Sequence, residues 1–305
     1  MSLRRLFFTP QGHWRLPWRL VFTTATWLAS TAALSTLLVL AWTVSGHAGL
    51  QQLASGALDM RLFGALTAVA AVATGLTLAL AGRFWEPGSW ADWGLRFARP
   101  AAREVVLGFV VGGFMQAAMA LALYLSGAAT WHGFTLRTVP WSVALMASGW
   151  WLLTFALVGW YEEALLRGYL YSTLAASLRP WVAAAASAAV FALLHGDNPH
   201  FDARAGVGLF LAGLFFVYAR RPRPWGLALP IGLHWGWNFF EGVVLGFPVS
   251  GLPVFRWAEV EVHGPAWWTG GAFGPEAGAV LLVGLLVGVL LLRPLRAASP
   301  QEARS

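Results

Sequence analysis

Three short stretches carry the residues whose types and spacing could do chemistry. They are Glu162, Glu163 and Arg167 in WYEEALLRGYL, His195 in AAVFALLHGDN, and His234 with Asn238 in IGLHWGWNFFEG. Glu163 and Arg167 stand four residues apart with the acid first, the favourable order for an ion pair on a helix. Glu162 points about 100° away from Glu163, so it is left without a cation and is free to act as a general acid or base. His234 and Asn238 also stand four apart, share a face, and can both present N–H donors to one oxygen. Donors fixed in a dry site stabilise the charge that develops on a tetrahedral intermediate. With His195 to orient the water, or share its proton with Glu162, the set describes hydrolysis of an acyl group. Each group alone also has a structural reading, as a buried ion pair or a satisfied core histidine. What favours chemistry is their joint occurrence in apolar segments, where an ionisable residue at a helix centre costs about 2.5–3.5 kcal/mol.

The elements that must position them are membrane helices. Of 305 residues, 58% are hydrophobic and 11% charged, against about 25% charged in soluble domains. Leu62 to Gly82 and Val105 to Leu136 hold no charge, each long enough for the roughly 20 residues a span requires. Apolar runs bounded by charge, Pro and Gly predict an all-α fold, a polytopic membrane helix bundle of about eight transmembrane helices around a central polar cavity. The runs are 20–44, 62–82, 105–126, 139–178, 181–197, 205–219, 224–246 and 276–292. The fourth would be about 60 Å long if continuous, so it must tilt or bend, with Gly149 and Gly159 as candidate bend points and Trp150/Trp151 as an interface marker. Counted from the same ends of their helices, Glu162, His195 and His234 lie at about 24, 21 and 15 Å, in one slab of the membrane.

The organisation expected is a basic, aromatic flank over 1–19, N-terminal helices over 20–138, a catalytic core over 139–247, an extracytoplasmic loop over 248–275, and a last helix with a polar tail over 276–305. The net charge of +7 reads as topology rather than nucleic-acid binding, because the arginines cluster at the ends of apolar runs in the pattern of the positive-inside rule. This puts both termini in the cytoplasm, most simply of a bacterial inner membrane, with membrane lipids as constant partners. The chain has no Cys, which excludes thiol catalysis and thiolate metal sites. The loop GDNPHFDAR after His195 reads as a turn capping the next helix, and Glu241 is a further polar candidate near Asn238.

At these residues the sequence resembles the CPBP intramembrane protease family, the type II CAAX prenyl proteases and bacteriocin-processing proteins. Its pattern is EExxxR, FxxxH and HxxxN on separate helices, read here as EEALLR (162–167), FALLH (191–195) and HWGWN (234–238). The resemblance implies Glu162 as the water-activating residue, His195 as its assistant, His234 with Asn238 as the oxyanion pair, and Glu163 with Arg167 as the second acid and the arginine of the first motif. It implies a membrane-associated protein or hydrophobic peptide as substrate, which in some relatives is lipidated. Members of the family are also described as metalloproteases, and Zn held by Glu162, His195 and His234 is the alternative to a cofactor-free reaction. The rival from another class is a non-catalytic or proton-coupled transport or immunity protein with the same polar cluster.

Overall fold

The computed structural model describes residues 4–47, 60–88, 90–95, 99–220 and 226–297. Every predicted apolar run contains a helix. These are α1 (Leu16–Val44), α2 (Met60–Phe84), α3 (Arg99–Leu125), α4 (Trp141–Glu162), α5 (Pro180–Leu194), α6 (Ala203–Ala219), α7 (Ala228–Asn238) and α8 (Leu281–Ala297). Helix is the conformation that satisfies every backbone N–H and C=O within its own segment, as an apolar solvent demands. α1, α2, α3 and the helix beginning at Trp141 are long and apolar enough to cross a membrane, whereas α5, α6 and α8 are shorter apolar helices.

Two expectations need correction. The fold is not purely helical: β1 (Ala129–Phe134) pairs antiparallel with β2 (Ala258–Val262), with a register shift between Trp131 and Gly133. Two strands of five or six residues, far apart in the chain, leave too little alternation to be recognised alone. The second concerns α4, which runs as uninterrupted α-helix through both Gly149 and Gly159. Gly149 has open space beside it, and Gly159 faces the backbone of α7. The irregularity comes just after, where the helix widens into a π segment over Glu163–Leu170 before resuming at Tyr171–Ala175. A second π segment, Phe239–Val244, extends α7. Trp150 and Trp151 pack inside the bundle: the Trp150 indole donates to the Met60 carbonyl at 2.9 Å and covers Gly64, and Trp151 is buried.

α7 is the element the bundle grips most tightly. A Cβ on Gly108 or Gly112 of α3 would lie 2.2 Å from the Leu229 oxygen and 2.5 Å from the Leu233 oxygen; one on Gly232 or Gly236 of α7 would lie 1.9 Å from the Val105 oxygen and 2.1 Å from the Phe109 oxygen. Each helix thus presents two glycines four residues apart to the other's backbone, the small-residue contact through which helices in lipid approach most closely. Gly159 does the same for α4, since its Cβ would stand 2.9 Å from the Ile231 oxygen. α1 is the opposite case: of its 29 residues only Thr23 and Val39 are buried.

Candidate functional site

α7 carries His234 and Asn238, α4 ends on Glu162 and its π continuation begins with Glu163, and the Gly159 contact between α4 and α7 brings the acids beside the imidazole. Glu163 is fully buried. Its Oε1 accepts from Arg167 Nη1 at 2.9 Å and lies 3.0 Å from His234 Nδ1. A carboxylate only accepts, so Nδ1 carries the proton that bridges this contact. The expected pair Glu163–Arg167 is therefore present, and His234 joins it as a third member that helix spacing alone does not reveal. Arg167 is buried as well, its guanidinium 4.3 Å from the Phe191 ring centre and 5.0 Å from that of Phe216. Gly213 leaves the room, since a Cβ there would stand 3.2 Å from Arg167 Nη2. Cation–π attraction thus supplements a single hydrogen bond to Glu163.

Glu162 has the separate environment expected of it. Tyr161 Oη donates to Oε1 at 3.0 Å, while Oε2 is buried with no hydrogen-bond partner among the described residues and lies 3.9 Å from His234 Nε2. That distance is too long for a direct hydrogen bond. One oxygen is anchored and the other is free. Tyr161 is a site residue missed in the sequence, where a phenol next to an acid carries no spacing signal because neighbours i and i+1 do not face each other on a helix.

His195 ends α5. Its Nδ1 is 2.8 Å from the Phe191 carbonyl oxygen, which can only accept, so Nδ1 bears hydrogen and Nε2 is the acceptor nitrogen in the neutral ring. Phe191, the first residue of the FALLH motif, thereby holds the His195 tautomer through its carbonyl and the Arg167 cation against its ring. His234 is fixed on its other faces by stacking on Phe216, with centroids 4.8 Å apart, and by an edge contact to Phe191.

Glu162, His195, His234 and Asn238 all line one cavity of about 280 Å³, whose remaining wall is largely apolar. Glu163 and Arg167 are packed behind it. Glu241 is fully buried, accepts from Gln116 Nε2 at 3.1 Å, and is not part of that wall. In the loop after His195, Asp202 caps α6 by accepting from the backbone N–H groups of Arg204 and Ala205, as the turn chemistry predicts. Asn198 of the same loop does line the cavity. Further cavity residues come from outside the motif region: Trp27 and Thr31 of α1, Phe63 and Ala70 of α2, and Ser250 and Glu276. The predicted eighth run began at Glu276, but α8 starts at Leu281 and Glu276 sits in a tight turn over Pro275–Ala277.

For a metal, the test is the donor set. Among the described residues no three His, Asp or Glu side chains are grouped so as to hold an ion. The set considered for Zn is not assembled as ligands, and no step below passes through a metal.

Residues 144–240 match the family model described as Type II CAAX prenyl endopeptidase Rce1-like. The match spans all three motifs and agrees with the resemblance drawn from them. No curated protein matches the chain.

Proposed function

With residues 144–240 placed in the type II CAAX prenyl endopeptidase family, we propose that this chain is an intramembrane endopeptidase that uses Glu162 to activate water. The observation that carries the proposal is the free, buried Oε2 of Glu162, 3.9 Å from His234 Nε2 in a cavity that His195 and Asn238 also line. A water about 2.8 Å from each of those two atoms, an ordinary hydrogen-bond length, would be held by both.

The reaction follows from the donors and acceptors. Oε2 takes a proton from the water as its oxygen attacks the peptide carbonyl carbon, and Tyr161 steadies the other carboxyl oxygen. Nε2 of His195, the acceptor nitrogen of that ring, orients the water or takes up its proton. The carbonyl oxygen becomes an oxyanion, stabilised by the Asn238 amide and by His234. With its Nδ1–H committed to Glu163, His234 presents Nε2 to the oxyanion. As the C–N bond breaks, the leaving nitrogen takes the proton back from Glu162. Water is consumed, and one acid and one amine are formed.

The apolar wall suits a membrane-associated protein or hydrophobic peptide, and the family makes a lipidated C-terminus one candidate. Eight spans with both termini in the cytoplasm of a bacterial inner membrane complete the proposal, supported by a helix in each of the eight apolar runs and by the arginine distribution. The test is cleavage of a quenched fluorogenic hydrophobic peptide by the full chain in liposomes, by wild type, Glu162→Gln and His234→Ala, each with and without a chelator. Cleavage by wild type, lost in both variants and indifferent to chelation, is expected. Cleavage that survives both substitutions overturns the site, and chelator sensitivity reversed by zinc overturns the water-activation scheme.

A further inference from the structure

The cavity wall holds a second carboxylate that the proposed chemistry does not use. Glu276 lies outside the segment that matches the family model, is 5% exposed, and among the described residues has no cationic partner. All its partners are donors. Oε1 accepts from Trp237 Nε1 at 3.0 Å, and Oε2 accepts from the Ser250 backbone N–H at 2.8 Å and from Ser250 Oγ at 2.6 Å. Ser250, one of two non-glycine residues at positive φ among those described, passes the link on: its carbonyl accepts from Asn198 Nδ2 at 2.9 Å. Asn198 in turn donates its backbone N–H to the His195 carbonyl at 3.0 Å.

This chain of bonds joins the two halves of the site. One end is the indole of Trp237, adjacent to Asn238 at the point where α7 widens into its π segment; the other is the loop that begins at His195. The backbone around it is held without slack. A Cβ on Gly208 would stand 1.8 Å from the Glu276 oxygen, one on Gly274 2.3 Å from the Pro248 oxygen, and one on Gly251 1.9 Å from the Pro199 oxygen.

The structure assigns Glu276 as a positioning residue that fixes the Asn238 end of α7 against the His195 loop, so that part of the site's geometry is supplied from outside the family segment. The assignment rests on the reading of the site given above. The identity of the residue follows from the partners. Only a group that accepts everywhere satisfies an indole N–H, a backbone N–H and a hydroxyl together; an amide would turn an N–H₂ toward at least one N–H that has nowhere else to go.

The test uses the full chain in liposomes with the same fluorogenic peptide, measuring kcat and KM separately alongside the melting temperature. Glu276→Gln is expected to lower kcat at least tenfold with KM within twofold, as misplacement of a donor by a fraction of an ångström to an ångström does. In an Asn238→Ala background the same substitution is expected to lower kcat by less than twofold, because the group it positions is already gone. A purely structural role would lower activity by the same factor in both backgrounds. Should Glu276→Gln fail to fold, Ser250→Ala, which removes one donor only, is expected to lower kcat about threefold, again absorbed by Asn238→Ala. A kcat within twofold of wild type for the folded variant, or losses that multiply fully with Asn238→Ala, overturns the assignment. Cleavage that depends on Glu162 but ignores Glu276 removes this inference alone, whereas cleavage that ignores Glu162 removes the function on which it rests.

Discussion

The buried pair Glu163–Arg167 offers the sharpest test of how this site is held, because removing one charge and removing both should have opposite consequences. Both side chains are inaccessible to solvent. Glu163→Gln strands a guanidinium whose Nε and Nη2 have no hydrogen-bond partner among the described residues, leaving the two aromatic rings and the more distant Glu162 to compensate it. Breaking a buried pair from one side costs about 3–5 kcal/mol, on the order of 10 °C in melting temperature for a chain of this size. Arg167→Met should fall at the lower end of that range, since Glu163 keeps its contact with His234 Nδ1, 3.0 Å away. The double variant Glu163→Gln/Arg167→Met strands no charge, and replacement of a whole buried pair is often neutral. It should therefore recover to within about 1–2 kcal/mol of wild type, a coupling of about 4 kcal/mol or more by the double-mutant cycle. Activity should not recover with it, because His234 still lacks a carboxylate at Nδ1. The assay is thermal or denaturant unfolding in detergent, read beside peptide cleavage in the same preparation. A double variant no more stable than the weaker single variant refutes the charge argument, and one that regains full turnover refutes the role given to Glu163.

Three further outcomes follow from the same geometry. Asn238→Ala should lower kcat by about 10²–10³-fold, the usual effect of losing one oxyanion donor, with little change in KM, measured by steady-state cleavage. Gly236→Val, which forces a side chain onto the Phe109 oxygen 2.1 Å from the built Cβ, should prevent α3 and α7 from closing, seen as loss of the monodisperse peak on size exclusion. Asp202→Ala should cost about 1 kcal/mol as a lost helix cap. Hydrogen bonds from Arg204 and Ala205 hold the Asp202 carboxyl below its ordinary value of 3.8. The carboxylate's share of that stability is present above pH 3.8 and lost as the pH falls through the lowered value, so melting curves of wild type and variant should converge in acid.

The three motifs and the helices that bear them were legible because each is a local signal: an apolar run with a polar residue it does not need. The freedom of Glu162 was legible too, since helical angle alone separates it from Arg167. The bond from His234 to Glu163 was not, because it crosses between helices through a contact that Gly159 permits, and spacing within one helix says nothing of the neighbour. The π segments were hidden for a different reason. A helix that widens from 3.6 residues per turn leaves the hydrophobic run unbroken, and EEALLRGYL reads the same in either form. Glu276 was assigned to the wrong side of a helix boundary, since a hydropathy window blurs an end by several residues and the decisive feature, three donors converging from Trp237 and Ser250, comes from elsewhere in the chain. The role of the first three helices was equally invisible: the glycines of α3 have meaning only opposite those of α7.

That glycine-to-glycine seam has a mechanical consequence. Where main chains touch without intervening side chains, the contact has no rotamers through which to give, so the rod bearing His234 and Asn238 is held backbone to backbone against α3. α1 contributes Trp27 and Thr31 to the same cavity while burying only two residues. Any widening of the cavity is therefore expected on the side of α1, with His234 and Asn238 kept in place by their seam with α3.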